Sequence, residues 1–363
     1  MATLHVFNPE HDIALAAHQR NFTAPHAGRQ LRSDLGFLPA LWAKGDDVVL
    51  VDDAETANEH LRHLRKVMAW ADKPMPQARW GEKKALHGLR FDHIDPWGWD
   101  KSLAGELQRI MPEEEAKDLM PSDERLAEIR ELSSRRLAAE HLQHGAAMVT
   151  DLDVLKAKVA QRRQCVLKAP WSCSGRGIRY VNLDASPLSA QLLNWAGAVI
   201  KGQGGIVVEP FFHKVADFGL EFELTPDGQA AYRGLSLFQT VKGAYSGNVL
   251  ATEADKEEML APLVTPDDLN HLRLTMQAKV EPLLKGRYTG PFGIDCMVVS
   301  NDGSTATTLR VEVAELNLRR TMGHVALALS PAESRHPRLM RVEYDGTHYH
   351  LRVYATRPGL DEA

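Results

Sequence analysis

The sequence predicts two architectures in one chain, a parallel α/β unit followed by a larger α+β region with antiparallel strands. Two apolar runs near the N-terminus, at residues 4–7 and 48–51, alternate with a helical pattern at 34–43, which is typical of small parallel α/β units. From Val166 onward the chain changes to short β runs separated by turns, which favours antiparallel pairing. With 363 residues, the chain is long enough for two or three domains.

The remaining elements follow from periodicity and from turn residues. Further helices are expected at 102–111, 188–199 and 265–284, and one long helix at 122–144 that begins at Ser122. Residues 112–121 contain three consecutive glutamates and are expected to form a solvated connection, which we take as the first domain boundary. Short strands are predicted at 166–168, 178–181, 206–209, 218–224, 232–241, 293–299 and 309–317. Asn301-Asp302-Gly303 predicts a hairpin turn between the last two strands, and a further hairpin is expected at 339–354.

The composition is that of an ordinary globular protein. Hydrophobic residues make up 44% of the chain, charged residues 25%, and the net charge is −5. This balance favours neither a nucleic-acid partner nor a membrane surface. We expect no secretory signal, because the N-terminus lacks a basic start followed by an apolar core. The three cysteines are widely spaced, which fits a reducing cytoplasm better than a disulfide framework.

A glycine- and serine-rich loop lies between two of the predicted strands, at residues 165–181 (CVLKAPWSCSGRGIRYV). Such a loop brings backbone N–H groups close to an anion, and Lys168 on the preceding strand is placed to neutralise phosphate charge. A simple hairpin with a flexible tip explains the loop equally well. The loop also lacks the lysine-serine/threonine ending of a P-loop, since its lysine precedes the glycines.

A second constellation combines acidic and amide side chains on the last predicted strand pair. Asp295 lies on one strand, and Glu315 and Asn317 are two residues apart on the other, so they share one face. Two carboxylates and an amide oxygen form a hard-oxygen site of the kind that Mg²⁺ prefers together with phosphate oxygens and water. The alternative is a pair of exposed strands with charged faces.

A third feature is the strand at 206–209, which ends in Glu209 and is followed by Pro210, Phe211 and Phe212. A strand that turns into a connecting segment exposes backbone groups that can read an adenine edge. Asp217, eight residues after Glu209, is placed to hold ribose hydroxyls. Taken singly, Glu209 is also explained as a surface residue at a strand end.

These features, in this order, resemble the ATP-grasp superfamily over about residues 130–330. The family pattern is a strand lysine before a glycine-rich hairpin, a strand and hinge with glutamate, a distal strand aspartate, and Glu-x-Asn. The corresponding segments here are Lys168 with the loop after it, Glu209-Pro-Phe-Phe, Gly290-Pro-Phe-Gly-Ile-Asp295 and Glu315-Leu-Asn317. The resemblance implies a Rossmann-like pre-ATP-grasp domain at 1–120. It further implies a small ATP-grasp subdomain with the lid at 121–203 and a large subdomain with the metal site at 204–363.

The resemblance also implies a role for individual residues. Lys168 would contact the α- and β-phosphates, Glu209 the adenine amino group, and Asp217 the ribose. The lid over the phosphates would be formed by Ser172, Ser174, Gly175 and Gly177, and the hinge beside adenine by Phe211 and Phe212. Asp295, Glu315 and Asn317 would hold one or two Mg²⁺ ions, which Mn²⁺ can replace.

Arginines stand where the family usually has a further lysine, on the helix before the glycine-rich strand. Here that stretch is Ser133-Ser134-Arg135-Arg136, and either arginine can pair with phosphate; we take Arg136 as the candidate and leave the choice between the two open. Arg319 and Arg320 follow Glu-x-Asn, where many family members bind a substrate carboxylate or acyl phosphate. A solvated pair of cations is the alternative for these two.

The N-terminal segment Asn8-Pro-Glu-His-Asp12 follows a predicted strand end, the usual place for ligand contacts in open α/β sheets. Asn8, Glu10 and Asp12 are candidates for binding the second substrate, with turn and capping roles as the alternative. A metal site at its histidine is less favoured, because the spacing of the nearby histidines fits no ligand pattern. Trp97 and Trp99 are interpreted as packing residues, with a substrate wall as the alternative.

The resemblance implies a carboxylate–amine ligase: ATP phosphorylates a carboxylate, and an amine or similar nucleophile attacks the acyl phosphate, releasing ADP and phosphate. The catalytic residues would be Lys168, Arg319 and Arg320. A phosphotransferase on the same scaffold and a non-catalytic nucleotide-binding protein are the alternatives. We expect a cytoplasmic protein whose partners are small-molecule or peptide carboxylates and amines, with no nucleic acid and no membrane. A homodimer is the assembly that we consider, and the oligomeric state stays open.

Overall fold

The structure is a computed structural model that describes residues 2–172, 177–241, 244–302, 305 and 308–356. Within these residues, the strands form three sheets, two with four strands and one with seven. The fold is therefore mixed α/β, with one parallel sheet followed by two antiparallel ones, as the sequence predicts.

The first sheet is parallel, with the strand order β3-β2-β1-β4. Its strands are β1 (Thr3–Val6), β2 (Val48–Val51), β3 (Arg79–Glu82) and β4 (His93–Pro96). The helices of this region are α1 (His11–Ala17), α2 (His26–Leu35), α3 (Ala54–His63), α4 (Arg65–Trp70), α5 (Lys101–Ile110) and α6 (Glu113–Leu119). Two 3₁₀ helices occupy Leu38–Leu41 and Lys83–Gly88. The central β1 and β2 are apolar because helices cover both faces of the sheet.

The second sheet is small, with the order β5-β8-β6-β7 and antiparallel pairing throughout. It is preceded by α7 (Asp123–Leu132) and α8 (Arg135–His141). Its own elements are β5 (Ala147–Val149), α9 (Leu152–Arg162), β6 (Gln164–Lys168), β7 (Ile178–Asn182), α10 (Ala190–Gln203) and β8 (Ile206–Pro210). The two helices α9 and α10 bury one face of this sheet in a shared apolar core.

The third sheet has the order β13-β12-β9-β10-β11-β14-β15 and is also antiparallel. Its strands are β9 (His213–Leu224), β10 (Ala230–Val241), β11 (Ala244–Leu250), β12 (Gly290–Ser300), β13 (Arg310–Asn317), β14 (Arg338–Tyr344) and β15 (Tyr349–Ala355). The helices between them are α11 (Glu253–Leu260), α12 (Pro266–Leu284) and α13 (Met322–Leu329). The predicted C-terminal hairpin is confirmed as β14 and β15.

Three helix predictions differ from the structure. The pattern at 34–43 is the end of α2 plus a 3₁₀ turn, because Gly36 ends the helix and Pro39 starts the turn. The single helix expected at 122–144 is two helices, since Ser134 caps a new helix with its side chain. The expected solvated connection at 112–121 contains α6, whose glutamates suit the positive end of a helix.

Apolar packing joins the first and third sheets. One buried cluster contains Phe7 and Val49 from the first sheet region together with Val325 and Leu329 from α13 and Met340 from β14. Because a shared core resists separation, the carboxyl end of the parallel sheet is fixed against the sheet that carries Asp295. Among the described residues, no helix combines the length and apolar character that a membrane span requires.

Candidate active site

Lys168 and Glu209 form a buried ion pair between the two central strands of the small sheet. Lys168 ends β6 and Glu209 lies on the neighbouring β8, and Lys168 Nζ is 2.7 Å from Glu209 Oε2. Lys168 Nζ also donates to the carbonyl of Ala314 on β13, at 3.1 Å. The motif order predicted that these two residues belong to one site, and the strand pairing brings them into contact.

Gln143, just after α8, belongs to the same group although no sequence motif contains it. Its Nε2 donates to Glu209 Oε1 at 3.2 Å and to the Ala314 carbonyl at 2.8 Å. The amide therefore binds the carboxylate oxygen of Glu209 that Lys168 does not. A glutamine after a helix carries no sequence signal of its own, so only the tertiary fold shows this role.

The acidic residues Asp295 and Glu315 lie directly opposite each other on the antiparallel strands β12 and β13. Asn317, two residues along β13, donates through Nδ2 to Asp295 Oδ2 at 3.0 Å. Burial, and then the nearby carboxylates of Glu315 and Glu221, raise the pKa of Asp295 to about 8. The predicted shared face is thus present, and its surroundings disfavour negative charge on Asp295.

The donor set of this acidic face fits Mg²⁺. A divalent cation would relieve the repulsion that raises the pKa of Asp295, and the oxygens of two carboxylates and one amide are ligands that Mg²⁺ accepts. In the described part of the chain, no group of three or more His, Cys, Asp or Glu side chains forms a ready-made metal site. A Mg²⁺ ion held here would need further oxygens from phosphate or water, which is its usual behaviour at nucleotide sites.

Glu221 is a third carboxylate beside this acidic face, and it belongs to none of the sequence motifs. It lies on β9, paired with Gly293 of β12, and its Oε2 is 3.0 Å from His324 Nδ1. Two glycines make room for it: a Cβ on Gly323 would lie 1.8 Å from Oε1, and one on Gly293 would lie 2.6 Å from Oε2. Glu221 is therefore fixed in position by backbone that only glycine allows.

Arg135, and not Arg136, faces this site. Arg135 Nη1 donates to Ser172 Oγ at 2.6 Å, and Nη2 is 2.8 Å from Glu315 Oε1. Arg136 is 55% exposed at its side chain and pairs with Glu140 on the outer face of α8. Successive residues on a helix point about 100° apart, so the break at Ser134 decides which arginine turns inward. Of the two arginines considered as phosphate ligands, Arg135 is therefore the one that lies in the site, and Arg136, the candidate chosen from the sequence, points away from it.

Arg319 and Arg320 both meet carboxylates of the N-terminal sheet region. Arg319 Nε and Nη2 bind the two oxygens of Asp12 at 3.0 and 2.8 Å, and Nη2 also donates to Asn317 Oδ1 at 3.0 Å. Burial alone would raise the pKa of Asp12, but Arg319 outweighs it and lowers that pKa. Arg320 Nη2 donates to Asp95 Oδ2 at 2.6 Å. Arg319 thus connects the acidic face to the first sheet.

The remaining predicted residues lie around these groups. Phe211 contacts Tyr180 edge to face, and the guanidinium of Arg310 lies 5.3 Å from the ring centroid of Phe212. Asp217 Oδ2 accepts from Thr240 Oγ1 at 2.7 Å and from Lys214 Nζ. Gly177 accepts at its carbonyl from the Ala169 amide at 2.8 Å, which closes the base of the glycine-rich loop. Ser174 and Gly175 lie outside the described residues.

A narrow cleft joins these residues to the N-terminal segment. Its walls come from α1, α8, the start of the glycine-rich loop and the end of β13, and they include His11, Asp12, Arg135, Ser172, Glu315, Asn317 and Arg319. Within Asn8–Asp12, His11 and Asp12 line this cleft. Asn8 donates instead to the Gly98 carbonyl at 2.8 Å, and Glu10 pairs with Arg32 at 2.9 Å. Trp97 packs edge to face on Phe7, as expected for a packing residue.

Comparisons with known proteins bear on this arrangement. No protein-family model matches the sequence, and no curated protein matches it. Among solved structures, a biotin carboxylase–β-γ-ATP complex from Campylobacter jejuni has a TM-score of 0.51 at 12% identity, covering 96% of this chain and 77% of that chain. An N5-carboxyaminoimidazole synthetase from Staphylococcus aureus has a TM-score of 0.49 at 12% identity, covering 94% and 82%. An ATP-grasp superfamily protein from Archaeoglobus fulgidus has a TM-score of 0.45 at 12% identity, covering 98% and 100%.

At such identities the likeness concerns the fold. The biotin carboxylase match extends over nearly the whole of this chain, including the two antiparallel sheets that carry Lys168, Glu209 and Asp295. The comparison therefore shows that this chain shares the fold of that biotin carboxylase, in agreement with the mixed α/β fold that the sequence predicts.

Proposed function

We propose that the protein is an ATP-dependent ligase that activates a carboxylate as an acyl phosphate and joins it to an amine. One observation carries this proposal: a basic group around Lys168 and Arg135 and an acidic group around Asp295 meet where the two antiparallel sheets face each other. Phosphoryl transfer requires cations for the phosphates and hard oxygens for a metal, but no covalent nucleophile. The cleft supplies both kinds of group.

The domain organisation follows the three sheets. We propose a Rossmann-like pre-ATP-grasp domain at 1–120, a small ATP-grasp subdomain that begins at 121, and a large subdomain that runs to 363. The expected boundary at 203/204 is better placed after Pro210, because β8 pairs with β5 and β6 in the small sheet. A boundary at 203 would separate Glu209 from the sheet that holds Lys168.

ATP would bind between the small and the large sheet. Lys168 would hold the α- and β-phosphates, and Glu209 the adenine amino group, with the backbone at Phe211 and Phe212 beside the ring. Asp217 would bind the ribose, and Ser172 and Gly177 would anchor a lid that also contains Ser174 and Gly175. The buried Lys168–Glu209 pair supports this assignment, because ATP would offer each charge a new partner in a water-poor place.

Mg²⁺ would be held by Asp295, Glu315 and Asn317. The chemistry that such an ion would supply is positive charge, which would neutralise the charge that develops on the transferred phosphoryl group. Arg135 contacts both Ser172, at the base of the proposed lid, and Glu315, so closure of a lid would change the contacts of a proposed metal ligand. This link supports lid closure as the step that excludes water from the acyl phosphate.

Arg319 would face the carboxylate substrate or its acyl phosphate. Its guanidinium is already oriented by Asp12 and Asn317, which leaves its position fixed before substrate arrives. Arg320 is turned to Asp95 and would act by holding the first sheet against this segment. We further propose a cytoplasmic location, because the few, widely spaced cysteines fit a reducing compartment. The substrates would be small molecules or peptides, and any assembly would be a homodimer.

The decisive experiment measures ADP release from ATP and Mg²⁺ with pairs of substrates. Standard amino acids and dicarboxylic acids serve as carboxylates, and ammonium, hydroxylamine or a second amino acid serves as the nucleophile. We expect ADP and phosphate release that requires both partners and that is lost in Glu315→Gln. The matched control is Glu223→Gln, whose carboxylate forms a half-exposed pair with Arg233. Release of ADP with a phosphorylated acceptor would indicate a phosphotransferase instead, and no ADP release with any pair would contradict the proposal.

A further inference from the structure

His11 and Asp100 lie at the carboxyl ends of two neighbouring parallel strands. His11 begins α1 shortly after β1, and Asp100 precedes α5 shortly after β4. Since β1 and β4 are paired in parallel, their carboxyl ends meet at the same edge of the sheet. This edge is where open α/β sheets bind ligands, and here it faces the cleft that Arg319 and Glu315 line.

Asp100 fixes the orientation of the His11 ring. Its Oδ2 is 3.3 Å from His11 Nδ1 and accepts from Asn8 Nδ2 at 3.1 Å, while Oδ1 accepts from the Leu103 amide at 2.9 Å. Both oxygens of Asp100 already act as acceptors for other N–H groups, so we assign the proton of the ring to Nδ1, from which it is donated to Oδ2. In that tautomer, Nε2 carries the lone pair and acts as an acceptor.

The Nε2 atom has no hydrogen-bond partner among the described residues, although His11 is only 1% exposed. The backbone of Gly98 packs against the ring so closely that a Cβ there would lie 2.8 Å from three ring atoms. The ring is thus held on one side by Asp100 and on another by Gly98, while the residue lines the cleft. A buried nitrogen without a partner, in a ring held this firmly, indicates a ligand that supplies the missing N–H.

We propose that His11 Nε2 binds the amino group of the second substrate and takes its proton during the ligation. This inference rests on the proposed function. In the step, the nitrogen lone pair of the amine attacks the carbonyl carbon of the acyl phosphate and forms the C–N bond. The C–O bond to phosphate breaks and its electron pair leaves with the phosphate, while the excess proton on nitrogen passes to Nε2. Asp100 stabilises the imidazolium that results, and the proton then leaves to solvent.

The acceptor character of His11 Nε2 favours an amine, which donates an N–H, over an anion as its ligand. Two carboxylates lie nearby, because Asp12 follows His11 on α1 and Glu315 lines the cleft from β13. Arg319 and Arg135 face the same cleft from the other elements, but each is paired with one of these carboxylates, Arg319 with Asp12 and Arg135 with Glu315. His11, oriented by Asp100, would therefore bind a primary amine next to Arg319, which is proposed to bind the activated carboxylate.

The test compares two nucleophiles in one enzyme preparation. Hydroxylamine is a strong nucleophile that is mostly unprotonated at neutral pH, so it traps an acyl phosphate as a hydroxamate without needing a base. The amine and carboxylate are the amino-acid pair that gives the highest ADP release in the wild type. For His11→Gln we expect the ratio of amide to hydroxamate product to fall about 100-fold, the usual scale of general base catalysis. The matched control, His26→Gln, changes an exposed histidine at the start of α2 and should keep the wild-type ratio.

Asp100→Asn provides a second variant, because asparagine keeps the cap on α5 but no longer orients the ring as a carboxylate does. We expect its ratio to lie between those of the wild type and His11→Gln. If His11→Gln lowers amide and hydroxamate formation by the same factor, the role of His11 is structural and the inference is wrong. The inference is also wrong if the substitution changes neither rate. If the wild type forms neither hydroxamate nor amide, the proposed function itself fails and the inference fails with it.

Discussion

Arg319 holds Asp12 through two parallel hydrogen bonds, from Nε to Oδ1 at 3.0 Å and from Nη2 to Oδ2 at 2.8 Å. The two residues are 307 positions apart in the chain. The same guanidinium also reaches Asn317 of the acidic face. One arginine therefore connects the N-terminal sheet region, which lines the substrate side of the cleft, to the residues proposed to hold the metal.

Asp12→Asn should weaken both the stability and the activity of the protein. The substitution leaves the partly buried Arg319 without its charge partner, and removing one member of a buried pair typically costs about 3 kcal/mol. We expect a lower free energy of unfolding in urea and slower ADP release, since Arg319 would no longer be held in place. Asp123→Asn is the control, because Asp123 pairs with Arg20 at an exposed site and should leave both measurements unchanged. If Asp12→Asn is as stable as the wild type, the paired hydrogen bonds between Arg319 and Asp12 do not stabilise the contact between the N-terminal sheet region and the acidic face.

The sequence was sufficient for the parts of this site that lie on regular strands. Strand periodicity and hairpin pairing predict the shared face of Asp295 and Glu315, whereas Lys168 and Glu209 join the same predicted site through the resemblance to the ATP-grasp superfamily. The structure places Asp295 opposite Glu315 and Lys168 in an ion pair with Glu209. Their proposed roles toward ATP and Mg²⁺ remain predictions.

The parts that sequence reasoning missed depend on contacts between distant segments. Gln143 and Glu221 belong to no motif, and each joins the site only because another strand packs against it. The choice of Arg135 over Arg136 depended on a helix break at Ser134 that periodicity did not reveal, because Ser133 and Ser134 fit a continuous helical pattern. His11 was one of several histidines until the parallel pairing of β1 and β4 set it beside Asp100.

Asp295→Asn should stabilise the nucleotide-free protein at pH 8 while it abolishes ADP release. The pKa of Asp295 is raised from its ordinary value to about 8, so the folded state favours the neutral form. The stability that this group contributes is present below about pH 4 and is lost as the pH rises toward 8. Asparagine stays neutral throughout, so the melting temperature of the variant should exceed that of the wild type at pH 8 but match it near pH 4.

Thermal melts of both proteins at the two pH values, without nucleotide, provide this measurement. The difference between the variant and the wild type isolates Asp295, because the other titrating groups are common to both. A variant that is less stable than the wild type at pH 8 would contradict the crowding of carboxylates around Asp295.

Lys168→Met should remove the stabilisation of the protein by ATP and Mg²⁺. Wild type at a nucleotide concentration 100 times its Kd should gain about 2.7 kcal/mol, because the ligand binds the folded state. The variant should lose this gain, and it should also be less stable without nucleotide, since Glu209 is left as a buried charge that retains its contact with Gln143 but has lost its cationic partner. Differential scanning fluorimetry with and without Mg²⁺-ATP measures both effects.

The double variant Lys168→Met with Glu209→Gln separates these two effects. It removes the unpaired charge, so part of the lost stability should return while the response to nucleotide stays absent. If the double variant responds to Mg²⁺-ATP like the wild type, Lys168 does not contact the phosphates.

Gly323→Ala should lower both stability and activity through a single methyl group. A Cβ at this position would lie 1.8 Å from Glu221 Oε1 and 2.7 Å from Ser236 Oγ, so Glu221 must move. Glu221 is buried, and overpacking a buried site typically costs about 1–3 kcal/mol. Because Glu221 is one of the carboxylates that raise the pKa of Asp295, its displacement also changes the charge at the acidic face, and we expect slower ADP release.

Gly197→Ala is the control: it lies in α10 with nothing within 4 Å of the added Cβ, and alanine should support the helix. The free energy of unfolding in urea and the rate of ADP release are measured for both variants. If Gly323→Ala is as stable and as active as Gly197→Ala, the displacement of Glu221 affects neither property.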